Sequence, residues 1–356
     1  MLQEFLENLN IKPQKIAIGV SGGADSLASV LICAEKLKPL GYQIIALTVD
    51  HKLRPTSSKE ADFVDNIMQQ NSIEHFTLVW QGKKPKTGIE EAARLARYDL
   101  LENWCQKNNI KYLITAHHLY DQAETFLMRL SRGSGLDGLC GMKEMSPYKS
   151  IFILRPFLKT NPETFKTYLQ NKHIRWVEDE TNNDENLLRV KMRKFLPILE
   201  EKTGITALKI ANTMERLQAS RAYFENKIES LIKNNFKNFN NGAFSCPLAF
   251  LLSVDTELQY RLLANLLKTV ANTPYSPEAE KTLILIEKLK QPDFKTGTLN
   301  HCKIKSAYGS LWILPEKNPK PENVKEVWKA YISKHPTYKK AKIPYELKYF
   351  LLAHKN

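Results

Sequence analysis

The chain has 356 residues, 43% hydrophobic and 25% charged, which fits a globular protein of two or more domains with a large core. Lys and Arg number 52 against 38 Asp and Glu, a net charge of +14 that favours a polyanionic partner such as RNA or DNA, with an anionic membrane surface as the competing reading. The five cysteines, Cys33, Cys105, Cys140, Cys246 and Cys302, form no C-x-x-C pair, which excludes a paired metal-ligand spacing and a redox dithiol. The first residues lack a basic, then apolar, secretory leader, and no run of 18 apolar residues occurs, so a cytoplasmic location without a membrane span is expected.

In chain order, Ile16–Val20 reads as a strand and Leu27–Leu37 as a helix. Between them lie Ser21, Gly22, Gly23, Ala24, Asp25 and Ser26, the run SGGADS. Strand, glycine turn and helix together aim backbone N–H groups at a phosphate, and glycine lets the backbone approach the anion. The two serines add hydroxyls and Asp25 a carboxylate suited to Mg2+. The lysine of a Walker loop is missing. By itself the run also reads as a serine-rich turn with Asp25 capping a helix.

Further strands are expected at Ile44–Val49, His75–Trp80 and Tyr112–Thr115, and helices at Ser58–Gln70, Ile89–Lys107 and Asp121–Ser131. This alternation predicts an α/β fold, a parallel sheet covered on both faces, with ligands beyond the carboxyl ends of the strands. Asp50 and His51, in VDHKLR, fall at one such end with Arg54 behind them, as a nucleotide-facing pair or as a plain polar loop. TAHHLYDQAET falls at another. There Asp121 and Glu124 are three apart on one helix face, a geometry suited to binding a cationic amine and taking its proton. His117 and His118 precede them; a Zn2+ reading is open, without the spacing of H-E-x-x-H. RGSGLDGLCG, residues 132–141, reads as a mobile cover or a helix-ending loop. An acidic stretch at 178–180 then leads to a basic helix on which Arg189 and Arg193 share a face, fit for phosphates or a polarised oxygen, or simply for solvent.

Beyond residue 194 the texture changes. Ile205–Asn234 reads as a long helix, Phe244–Val270 as mostly helix and Lys281–Leu289 as another helix. Thr298–Pro315 reads as a β-hairpin turning at Gly309-Ser310. Residues 318–356 carry nine lysines and three acidic residues, as a basic docking tail or a solvated one. The expected division is a catalytic domain at 1–200, a helical connector at 201–235, a small α+β domain at 236–316 and a basic tail at 317–356.

SGGADS resembles the PP-loop of the ATP pyrophosphatases. Together with VDHKLR, IEEAARLARY, TAHHLYDQAET, RGSGLDGL and the 178–194 block, it occurs in the order of the bacterial tRNA(Ile)-lysidine synthetases. The likeness covers residues 14–200, and more weakly Thr298–Pro315, which is similar to the family's C-terminal tRNA-contacting domain. It implies a Rossmann-like PP-loop domain and a two-step reaction. ATP adenylates the C2 oxygen of the wobble cytidine in tRNA(Ile) with a CAU anticodon, and the ε-amine of free lysine displaces AMP to give lysidine. It implies ATP phosphates and Mg2+ on Ser21–Ser26, with Asp25 the metal ligand. Asp50, His51, Arg94 and His117 would lie near the nucleotide, Asp121 and Glu124 would hold and deprotonate lysine, and Arg189 (or Arg193 nearby) would face the activated base or the amine. Related enzymes are often dimers, so a homodimer is among the expected partners. The family commonly has Asn after that arginine, where this chain has Val190. A tRNA thiolase of the same superfamily is the alternative enzyme, and an RNA-binding protein without catalysis the alternative class.

Overall fold

A computed structural model describes residues 2–53, 57–82, 84–85, 87–178, 187–239, 242–273, 275–317 and 323–353. Arg54 and residues 179–186, including most of the acidic stretch, lie outside the described residues. Contacts divide the chain into two units, Met1–Arg221 and Ala222–Asn356.

The first unit is built on a six-stranded sheet of order β3-β2-β1-β4-β6-β5, from β1 (Lys15–Gly19), β2 (Gln43–Asp50), β3 (Glu74–Val79), β4 (Tyr112–Ile114), β5 (Met145–Tyr148) and β6 (Ile151–Leu154). All neighbours are parallel except β5 and β6. Both faces are covered, so the central strands are apolar almost throughout. On β1, Ile16 and Ile18 face one way, into a core with Leu27, Val30, Leu31 and Leu37 of α2 (Ala24–Leu37) and Phe165 and Leu169 of α7 (Glu163–Asn171). Ala17, between them, faces the other way, into a core with Leu101 and Cys105 of α4 (Ile89–Lys107). The chain leaves β1 for β2 and β3 on one side and returns to β4 on the other. That reversal opens a crevice at the carboxyl ends of β1 and β4, where ligands bind in open α/β sheets. The remaining first-unit helices are α1 (Leu2–Asn8), α3 (Ser57–Gln70), α5 (Leu119–Leu130), the short α6 (Leu136–Leu139) and α8 (Leu188–Thr203). A long helix, α9 (Ala207–Asn235), starts in this unit and ends in the next.

The second unit has an antiparallel sheet of order β7-β8-β11-β10-β9, from β7 (Lys237–Phe239), β8 (Ala243–Pro247), β9 (Thr296–Leu299), β10 (Cys302–Ala307) and β11 (Ser310–Pro315). It packs on α11 (Thr256–Ala271) and α12 (Ala279–Leu289) through Leu262, Leu266, Leu285, Ile304 and Ile313. No helix among the described residues is long and apolar enough to cross a membrane.

Several expectations need correction. Residues Ala243–Pro247 pair with β11 as a strand, and helix resumes only at α10 (Leu248–Ser253). A short apolar run carries too few residues to separate the two periods. The hairpin turns at Tyr308-Gly309, both with positive φ, and Ser310 already belongs to β11. β9 adds a third strand, and β5 and β6 had no counterpart in the reading. The lysine-rich end forms α13 (Val324–Lys334) and α14 (Tyr345–Ala353). Leu347, Phe350 and Leu351 of α14 are buried with Phe239, Trp312 and Leu314, and Glu346 binds Lys303 and Lys305 at 3.1 and 3.0 Å.

Candidate active site

The loop after β1 is shaped by its own backbone. Gly22 has φ of +88°, and a Cβ there would lie 3.3 Å from Val64 and 3.6 Å from Val177. Gly23 stands at the N-cap of α2 in extended conformation, and no side chain caps that helix end. Its first N–H groups are therefore directed out of the loop, with the positive end of the helix dipole behind them. The Ser26 hydroxyl is spent inside the loop: it donates to the Gly23 carbonyl at 3.0 Å and accepts from the Ser21 amide at 3.0 Å. Ser26 thus sets the loop's curvature, while Ser21 lies at its exposed rim, 3.1 Å away through the two hydroxyls. The Gly22 carbonyl accepts from the Val177 amide at 3.0 Å, which ties residues 174–178 to the loop. Asp25, in the first turn of α2, has a half-exposed carboxylate.

Asp50 and His51 end β2. Asp50 is buried and turned toward its own loop, accepting from the Lys52 amide at 2.9 Å and Ser58 at 3.1 Å, with the Lys52 ammonium at 2.9 Å. Burial opposes its charge, but these donors prevail and bring its carboxyl down to about 2. It therefore shapes the loop. The His51 ring sits edge-on to Trp80 at 5.8 Å, and its buried Nδ1 has no partner. Burial and the nearby Arg97 guanidinium keep His51 below the usual imidazole range.

The end of β4 supplies the rest. His117 Nδ1 meets the Thr115 hydroxyl at 2.8 Å. Burial, with Arg155, Arg189 and Arg94 around it, lowers its pKa to about 3, so it is neutral at physiological pH. His118 caps α5. Its backbone amide donates to Asp121 Oδ2 at 2.9 Å, and its Nδ1 accepts from the Asp121 amide at 3.4 Å, a reciprocal capping box. Its Nε2 lies 3.4 Å from Asp25 and 3.5 Å from Asp121.

Asp121 and Glu124 do point to one side, as their spacing predicts, and two arginines of α8 meet them. Arg189 reaches Asp121 at 2.5 Å through Nη2 and Glu124 at 2.6 Å through Nε, and Arg193 reaches the other oxygen of Glu124 at 2.7 Å. Glu124 is fully buried. Burial works against the charge of Asp121, but His118 and Arg189 overcome it and hold the carboxyl below its ordinary range. Arg189 is likewise held charged by the two carboxylates despite burial. Val190, beside it, is buried in α8 and offers no side-chain hydrogen bond.

Arg94 and Arg97 of α4 lie over the Tyr98 ring, at 5.2 and 5.3 Å. Arg155, just past β6, is fixed by the Lys143 carbonyl and the Ser146 hydroxyl, both at 2.9 Å. The sequence reading brought in Arg94 and missed Arg97, although Arg97 is one turn further along the same face and feels both His51 and Arg189. For His118 the sequence offers only an open Zn2+ reading, whereas the structure makes it the N-cap of α5, with Asp three residues later closing the box. The arrangement can bind a polyanion at the α2 terminus and the arginines, and a cation at the α5 carboxylates.

A family profile described as the PP-loop domain (ATP_bind_3) matches residues 1–199. A tRNA(Ile)-lysidine synthase of Wolbachia pipientis wMel is 33% identical over 322 residues, 89% of this chain and 74% of that protein. One from Bradyrhizobium sp. strain BTAi1 is 34% identical over 284 residues, 77% of this chain and 79% of that protein. Among solved structures, the U34-tRNA thiolase NcsA from Methanococcus maripaludis, with its [4Fe-4S] cluster, is similar in fold, with a TM-score of 0.51. It is 18% identical, over 61% of this chain and 78% of that one.

Proposed function

The chain belongs to the PP-loop family and, within it, to the tRNA(Ile)-lysidine synthases, and from that premise we propose that it ligates free lysine to C2 of the wobble cytidine in tRNA(Ile) with a CAU anticodon. ATP fits the site on two local grounds: an uncapped helix terminus beside a glycine at positive φ, where a Cβ would be strained and crowded, and an unpartnered buried His51 Nδ1 at the next strand end. Gly22, Gly23, Ala24 and Asp25 would present backbone amides to the phosphates. Asp25 would be the protein ligand of Mg2+, which commonly binds through one or two carboxylates plus substrate phosphates, and the ion would supply charge neutralisation there.

In the first step the cytidine O2 forms a bond to the α-phosphorus and pyrophosphate leaves. In the second, the lysine nitrogen bonds to C2, the C2–O bond breaks and AMP leaves. Free lysine's amine has a pKa of about 10.4, so it arrives as an ammonium and must lose its proton to attack. Asp121 and Glu124 attract that cation and accept the proton. The same two carboxylates are bridged by Arg189, so the incoming ammonium competes with a guanidinium, and Arg189, once displaced, is available to the adenylate's negative charge.

The observation that carries this reading is the meeting of an anion-binding loop and an acidic pair at one crevice, linked through His118. The thiolase alternative needs accessible or clustered thiols. Cys33, Cys105, Cys140, Cys246 and Cys302 are all buried, and burial raises the thiols of Cys105, Cys246 and Cys302 to about 12. The net charge of +14 suits a tRNA. The reading places the enzyme in the cytoplasm, with a homodimer as the form to look for by light scattering. The decisive experiment follows pyrophosphate release with ATP, tRNA(Ile) and lysine, omitting each in turn, with mass spectrometry of the tRNA. Release that needs the tRNA, and a mass gain of lysine minus water at the wobble base, are expected. Release that ignores both tRNA and lysine refutes the reading.

A further inference from the structure

His118 stands where the two halves of the site meet, and its two ring nitrogens face different halves. On one side Nδ1 accepts the Asp121 amide at 3.4 Å, closing the cap of α5. On the other, Nε2 is 3.4 Å from the Asp25 carboxylate and 3.5 Å from Asp121 Oδ2. The ring is buried and packs beside Phe165 at 6.4 Å between centroids, so its orientation is set by the core. A ring nitrogen that accepts an amide proton carries none of its own, so these partners assign the proton to Nε2, directed at the carboxylates. Asp25 has no other side-chain partner among the described residues, and its carboxylate is otherwise free to turn on α2.

We propose that His118 is a positioning residue that holds the Asp25 carboxylate for the adenylation step, from a ring fixed in place by the cap of α5. The role differs from capping alone. A cap needs only the Nδ1 acceptor, whereas positioning Asp25 needs the Nε2 donor. One residue fulfils both, so the register of α5, which carries Asp121 and Glu124, and the aim of the phosphate-loop carboxylate are set together. The inference rests on the proposed reaction for its activity readout, and on geometry for the rest.

Two substitutions separate the functions. His118→Asn places an amide oxygen near the position of Nδ1 and nothing at Nε2, so it keeps the cap and loses the link. His118→Gln places an amide nitrogen near Nε2 and loses the cap. Three quantities are measured on the full chain: melting temperature, Mg2+·ATP affinity by calorimetry, and tRNA-dependent pyrophosphate release without lysine. The Asn variant is expected to melt near wild type, bind Mg2+·ATP about tenfold more weakly and adenylate about 10–100-fold more slowly. The Gln variant is expected to melt about 2–4 °C lower and keep affinity and adenylation within about fivefold of wild type. Adenylation that follows melting temperature across both variants, or an Asn variant equal to wild type in affinity and rate, overturns the proposal. If wild type binds Mg2+·ATP yet releases no pyrophosphate with tRNA, the proposed reaction fails, while the affinity order of the variants still decides the role of His118. A wild type that binds no Mg2+·ATP overturns both.

Discussion

The two halves of the site are built by opposite means. The phosphate loop is made of backbone: uncapped amides, a glycine at positive φ and a hydroxyl used to hold the curve, all within six consecutive residues. The half proposed to take the amine is made of side chains, two carboxylates on α5 and two guanidiniums on α8, with charges that balance within the cluster. A backbone anion site is ready before its ligand arrives, because its dipoles already point the right way. A cluster of balanced ion pairs is closed, and a cation enters only by displacing one already present. The proposed order of the reaction suits this difference: phosphate chemistry first at the loop, amine delivery second at the ion-pair cluster.

The largest expected effect breaks the open half. Asp25→Ala should lower adenylation by at least about 10³-fold, read as tRNA-dependent pyrophosphate release, since the loop loses the carboxylate proposed to hold Mg2+. Next, Asp121→Ala should leave the first step within about tenfold and slow lysine transfer by at least about 10²-fold, so that adenylated tRNA accumulates on a mass spectrum. Lysidine formed at the wild-type rate would remove Asp121 from the amine half.

A subtler variant tests whether the cluster is closed. Arg189→Ala removes the competitor for both carboxylates, so the KM for lysine should fall a few-fold while kcat drops about tenfold. A rise in KM would mean that Arg189 helps to hold the substrate. The smallest effect is on stability. His117 binds a proton only near pH 3 in the folded chain, against about 6.5 unfolded, so the unfolded state gains the proton first as pH falls. Its contribution to stability is therefore whole above about pH 6.5 and is lost on acidification toward pH 3, at up to about 1.4 kcal/mol per unit. Denaturant melts across that window should show a shallower slope for His117→Asn than for wild type.

The same contrast explains what could be read in advance. The phosphate loop and the Asp121–Glu124 face are local, the first a hexamer between two clear periodic segments, the second a pair at i, i+3, and both appear where their patterns place them. Arg189 lies 65 and 68 residues from its two carboxylate partners and Arg193 lies 69 from Glu124, and nothing in α8 by itself says which carboxylates it will meet. Helix packing makes that choice: Leu119 and Ala123 of α5 and Leu196 of α8 share one core. His118 was visible as a residue and silent as a link, because Asp25 comes to it only when β1 and β4 pair side by side. In the second unit, β8 was lost to a neighbouring helical pattern, and its strand character comes from the partner β11 more than from its own residues.

The bare start of α2 has one more consequence. Serine, threonine and aspartate are the residues that commonly cap that end of a helix, and in the proposed reading the bound anion takes their place here. The guest therefore completes a piece of secondary structure, and heat resistance becomes a gauge of occupancy. Pyrophosphate at a hundredfold excess over its dissociation constant should add about 2.7 kcal/mol to the folded state, visible as a dose-dependent rise in melting temperature without tRNA or lysine.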